Sequence, residues 1–185
     1  MIRRILTNGL ASGLAVGVPL FGITVGLGGH TDAPWGVVVG YLIMLVALSV
    51  VFVAIKRRRD MELGGLIRFW PAFAYGLAIS VVAGVIYVVA WEAALAVTHL
   101  DFAATYADGL IARQKAQGLS GAALEQFIAR MDEFKRQYAN PLYRLPMTFA
   151  EIFPVGVLVS LVSAGLLRNS RFLPMRRAPS RVAEL

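Results

Sequence analysis

Two ionisable residues fall inside the long apolar stretches of this sequence, Glu92 and Glu151, and a carboxylate in hydrocarbon is expensive enough to need a reason. Glu92 stands about five residues before one apolar run ends and Glu151 about four residues after another begins, so helical rise puts both roughly 6 to 8 Å below the same boundary. Two carboxylates at matching depth in a low dielectric cannot both ionise cheaply: one keeps its proton, or a cation sits between them. His99 follows Glu92 by seven residues, on the same face if the helix continues, and His30 and Asp32 lie in a loop on the same side. Such a cluster has the donors to relay protons or ligate a divalent metal. Its spacing matches no ligand motif, so no metal and no other cofactor is expected. Arg144, just outside the second run, is the natural structural partner of the acids. The expectation is a polar pocket of Glu92, Glu151, Arg144 and His99, in which Glu92 and Glu151 face each other as a structural pair. Handling of protons or cations is the alternative.

No catalytic residue is assigned. The sequence has no Walker loop, HExxH, GxSxG or dinucleotide fingerprint. With no cysteine, disulfides, thiolate metal sites and a cysteine nucleophile are excluded. A non-enzymatic protein is the expectation; an intramembrane enzyme acting on a lipid-linked substrate would rest on the two glutamates alone.

What positions these residues is a membrane fold. Of 185 residues, 58% are hydrophobic and 16% charged, against roughly half and a quarter in a soluble domain, and the mean hydropathy is +0.68. The runs at about 5–27, 36–55, 71–97 and 147–167 are long enough to cross about 30 Å of hydrocarbon. The expected fold is therefore an all-α integral membrane protein, a single domain of four transmembrane helices. Gly28 to Trp35, with Gly-Gly, His30, Asp32 and Pro34, has the composition of a tight turn, so the first two spans form a hairpin. Arg3-Arg4 before an apolar run resembles a signal peptide, but that run is too long for an ordinary h-region and is read as a span.

Orientation follows from where the cations lie. Of 18 Lys and Arg, twelve fall on one side (Arg3, Arg4, Lys56 to Arg59, Arg68, Arg168, Arg171, Arg176, Arg177 and Arg181) and six in the segment 98–146. Both termini are expected in the cytoplasm of a bacterial inner membrane, the tail 168–185 included. Trp35, Trp70 and Trp91 fall near the span ends, as an aromatic belt requires. The net charge of +7 then reflects topology rather than nucleic-acid binding. Lys56, Arg57, Arg58, Arg59, Arg176 and Arg177 are expected to meet anionic lipid headgroups.

The segment 98–146 reads as an extracytoplasmic helical hairpin between spans three and four. Phe102, Tyr106 and Leu110 recur every four residues until Gly118; after Ser120, a candidate N-cap, Leu124, Phe127, Ile128, Met131, Phe134 and Tyr138 trace a second apolar face, which Asn140-Pro141 ends. Within the spans, small residues recur at the same interval: Gly9, Gly13 and Gly17; Gly22 and Gly26; Gly36 and Gly40; Ala72, Gly76, Ser80 and Gly84; Gly156, Ser160 and Ala164. Such ridges let helix backbones approach closely. Packing within the chain is the expectation, and a homo-oligomer formed through span one the sharper alternative.

Gly40-Tyr41 with Met44, Lys56 to Asp60 before Gly64-Gly65, Trp91-Glu92, Tyr138 to Pro141 and above all Met147 to Gly156, MTFAEIFPVG, resemble a bacterial family of small four-span membrane proteins, the domain of unknown function 4199. The resemblance covers nearly the whole chain. It implies the same four spans, the long segment before the last, and Glu92 and Glu151 within family motifs. It implies no activity, and His30 and His99 are outside its pattern.

Overall fold

A computed structural model describes residues 1–26 and 36–174. The expected turn at 28–35, with His30, Asp32 and Trp35, and the tail cations Arg176, Arg177 and Arg181 lie outside the described residues. Within them all regular structure is helical: α1 Ile2–Gly26, α2 Gly36–Glu62, α3 Phe69–Thr98, α4 Phe102–Ala116, α5 Gly121–Tyr138 and α6 Pro141–Leu167. Four of these, α1, α2, α3 and α6, are long and apolar enough to cross a membrane.

Local chemistry explains the breaks. Gly64 and Gly65, at φ 62° and 91°, take the left-handed backbone that turns the chain out of α2. Asp101 caps α4, its side chain accepting from Ala104 N at 3.0 Å. Gly118 (φ 90°) ends the helix, while Leu119 N donates to Gln114 O in a Schellman-type closure. Ser120 precedes α5 in an extended conformation without a side-chain cap bond. Asn140-Pro141 does two things at once. It follows the end of α5, and it starts α6, Asn140 accepting from Leu142 N and Pro141 occupying the first turn, where a missing N–H is harmless. The last helix thus begins well before the residue near 147 expected from hydropathy.

The long helices form a bundle in which α3 packs against both α1 and α6, while α2 bridges α1 and α6. The α1–α3 seam is parallel and built on glycine. A Cβ placed at Gly9, Gly13 or Gly17 would come within 3 Å of Val82, Ile86 and Ala90 respectively. These three glycines are therefore occupied inside the chain. The α3–α6 seam runs antiparallel: Gly76 meets Ser160, Ser80 meets Gly156, and Gly84 receives the Phe149 ring. Leu48, Val51, Ile55, Ile79 and Ile152 fill the centre.

The opposite faces are apolar too. Leu6, Leu10, Leu14 and Val18 on α1, and Val81, Val85 and Val89 on α3, are all exposed. In water such patches would be anomalous; around a bundle of spans they are its lipid-facing surface.

Helices α4 and α5 pack on each other. The expected α5 face from Leu124 to Tyr138 is turned inward, Tyr138 fully and the others partly. On α4 the closest-packed positions are the small Ala103 and Ala107, and Tyr106, although on the apolar face that the four-residue spacing predicts, is 48% exposed with its ring 5.9 Å from that of Phe134.

Gly13→Ala should destabilise the bundle by about 1–3 kcal/mol through overpacking against Ile86. Gly22→Ala, with nothing within 4 Å of its added Cβ, should be neutral or mildly stabilising. Denaturant unfolding of both variants in detergent micelles checks this; equal effects would contradict the seam.

Candidate functional site

The α3–α6 register determines which polar groups meet. From the contact of Gly76 with Ser160, four residues forward on α3 and four back on α6 gives Ser80 with Gly156; twelve further in the same sense gives Glu92 with Arg144. There the guanidinium grips the carboxylate with two bonds: Arg144 Nε donates to Glu92 Oε1 at 2.7 Å and Nη2 to Oε2 at 2.6 Å. Both side chains are mostly buried, 19% and 30% exposed. This fork geometry is the strongest form of an ion pair.

The arginine also organises the start of α6 and the end of α5. Its Nη1 reaches toward Tyr138 O at 3.5 Å, its guanidinium lies 5.7 Å from the Tyr138 ring, and its carbonyl accepts from Thr148 Oγ1 at 3.0 Å. The Tyr138 hydroxyl accepts from Trp91 Nε1 at 2.8 Å. Burial pushes the Tyr138 phenol above its ordinary pKa, opposed by the Trp91 hydrogen bond and the Arg144 charge. Trp91, Phe102 and Tyr138 close the cluster, with Phe102 5.1 Å from Trp91 and 5.4 Å from Tyr138. One turn of α3 and the neighbouring turn of α6 thus tie the bundle to both helices of the α4–α5 pair.

Glu151 is elsewhere. Tyr87 Oη donates to its Oε2 at 3.1 Å, and the Glu151 side chain is otherwise on an exposed face of α6. The expected face-to-face pairing with Glu92 is replaced by two separate acid–donor pairs. The reason is the early start of α6: Glu151 lies ten residues into that helix, Glu92 six before the end of α3, so their depths do not match. The α3 members of the two pairs, Tyr87 and Glu92, are about 7.5 Å apart along that helix by helical rise. His99 is the left-handed C-cap of α3, φ 51° and ψ 27°, and is exposed. No group of three or more His, Cys, Asp or Glu among the described residues is arranged to hold a metal.

At the other end of the bundle, Lys56 pairs with Asp60 at 2.6 Å, and Arg57 is exposed. Arg58 lies over the Tyr75 ring at 4.6 Å. Arg59, expected at the headgroup surface, is wholly buried. Its Nε donates to Asp60 Oδ1 at 2.7 Å, and its other nitrogens to Phe172 O at 2.9 Å and Leu173 O at 2.5 Å. It satisfies the carbonyls that follow α6, which need a donor when no water reaches them.

Sequence reasoning missed Tyr87 and the inward turn of Arg59. A tyrosine in a predominantly apolar span, five residues from an acid, was the available signal for the first; nothing in a run of four cations distinguishes the second.

A family model described as protein of unknown function (DUF4199) matches residues 7–169. No curated protein and no solved structure matches the chain.

Arg144→Gln should lower stability by about 1–3 kcal/mol, because a mostly buried carboxylate loses its cation while partial exposure moderates the loss. The double variant Glu92→Gln/Arg144→Gln should be less unstable than the two single losses added. Unfolding in micelles reads the cycle, and strict additivity would rule the tie out.

Proposed function

The chain belongs to the DUF4199 family of proteins of unknown function, and from that premise we propose that it is a non-enzymatic helical protein of the bacterial cytoplasmic membrane. Both termini lie in the cytoplasm and the α4–α5 pair stands outside. Its work is to hold that pair rigidly at the outer surface. The observation that carries this reading is the asymmetry of the bundle. Arg3, Arg4, Arg57, Arg58, Arg68 and Arg168 collect at one end, the pattern that keeps a membrane end in the cytoplasm. At the other end Glu92 is consumed in joining α3 to α6 beside the aromatic contact with α4.

The same asymmetry favours anionic lipids around the cytoplasmic end, where each cation near a negative surface contributes about 1 kcal/mol. The outward polar site supports the reading through structure rather than turnover. Glu92 is held on both oxygens by Arg144, and Glu151 accepts from Tyr87.

Because the chain has no cysteine, single introduced thiols report sidedness cleanly. Ser120→Cys should react with a membrane-impermeant maleimide in intact cells, and Ser170→Cys only after permeabilisation. The reverse pattern would overturn the topology.

A further inference from the structure

A cavity of 420 Å³ opens at the arginine end between α1, α2 and α3, lined by Arg3, Arg4, Arg57, Arg58, Glu62 and Tyr75. Its size falls in the range of small-molecule sites. The charged residues that line it are strongly one-sided: four arginines and one glutamate. Glu62 pairs with Arg4 and comes within 4.0 Å of Arg58. Neither Arg3 nor Arg57 meets an acid among the described residues. Arg58 is held by its stacking on Tyr75, yet its Nε, shielded from solvent, has no hydrogen-bond partner. A shielded donor without an acceptor is unfavourable. The N-terminal turn of α1, which contains no acid, adds the partial positive charge of its free amides at the same place.

We propose that this cleft is a binding site for a phosphate ester. A phosphate offers several acceptor oxygens and up to two negative charges, which match multiple arginines where a single carboxylate, as Glu62 shows, engages them incompletely. Arg58, fixed against Tyr75, presents a preoriented donor edge; Arg3 and Arg57, exposed on two different helices, close on the ligand from either side. Two of the four arginines come from the first helix, so the site forms only when α1 and α2 are packed together. The ligand is the headgroup of an anionic phospholipid or a soluble phosphate ester, and in the orientation proposed above it is met from the cytoplasmic side.

The test uses the purified full-length chain in zwitterionic detergent, with native mass spectrometry counting bound molecules. Phosphatidic acid should be retained in preference to phosphatidylcholine of the same acyl chains. The variant Arg3→Gln/Arg57→Gln, which removes two exposed cations and no internal bond, should lose about tenfold in affinity for phosphatidic acid, and Arg58→Gln a similar amount. Arg113→Gln on α4 should change nothing. Displacement of the lipid by glycerol 3-phosphate assigns the site to a soluble ester; persistence of the lipid assigns it to a headgroup. Equal retention of the two lipids, or wild-type affinity in Arg3→Gln/Arg57→Gln, overturns the proposal. Detergent micelles have no sides, so this result stands or falls independently of the topology.

Discussion

Helix α3 can be packed on two sides only because side chains are missing where backbones approach. On one side Gly9, Gly13 and Gly17 bring α1 against Val82, Ile86 and Ala90; on the other, Gly76, Gly84 and Gly156 bring α6 close. In lipid no hydrophobic force drives helices together, so this close approach, with the dispersion it gains, is what holds the bundle. Serines reinforce it at little volume. Ser12 donates to Ala47 O at 2.9 Å between α1 and α2, and Ser80 to Gly156 O at 3.3 Å between α3 and α6.

The polar contact between α3 and α6 at the hairpin end follows from the register those contacts set. Once Ser80 lies on Gly156, helical geometry carries Glu92 to Arg144, and the guanidinium finds both carboxylate oxygens. The ion pair does not choose the register; it rewards it. Beside it, the Trp91 to Tyr138 hydrogen bond and the ring of Phe102 couple the bundle to α4 and α5. At the arginine end Arg59 plays the matching part, joining α2 to the carbonyls beyond α6.

Composition made the class of fold legible, since long apolar runs have few alternatives to spanning helices. Glycine periodicity made the α1 seam legible as a ridge but did not name its partner, because any close-packed helix would satisfy it. Arg144 was legible as a partner because a cation just outside a span is the cheapest neutraliser of an acid just inside one. The pairing of Glu92 with Glu151 was misjudged for an equally physical reason. Hydropathy marks where a helix becomes apolar, and Asn140-Pro141 marks where it begins; depth measured from the first boundary is wrong when the helix starts earlier. Arg59 was misplaced because one member of a basic run turned inward leaves no trace in the pattern.

The α3–α6 register fixes the Glu92–Arg144 pair, and a chain without native cysteine allows that register to be read directly. Ser80 and Ser160 bring their hydroxyl oxygens to 3.4 Å, so the double variant Ser80→Cys/Ser160→Cys, oxidised in membranes, should form a bridge within one chain and run as a monomer on a non-reducing gel. Failure to cross-link, or cross-linking that yields only dimers, would contradict the register and with it the origin of the Glu92–Arg144 pair.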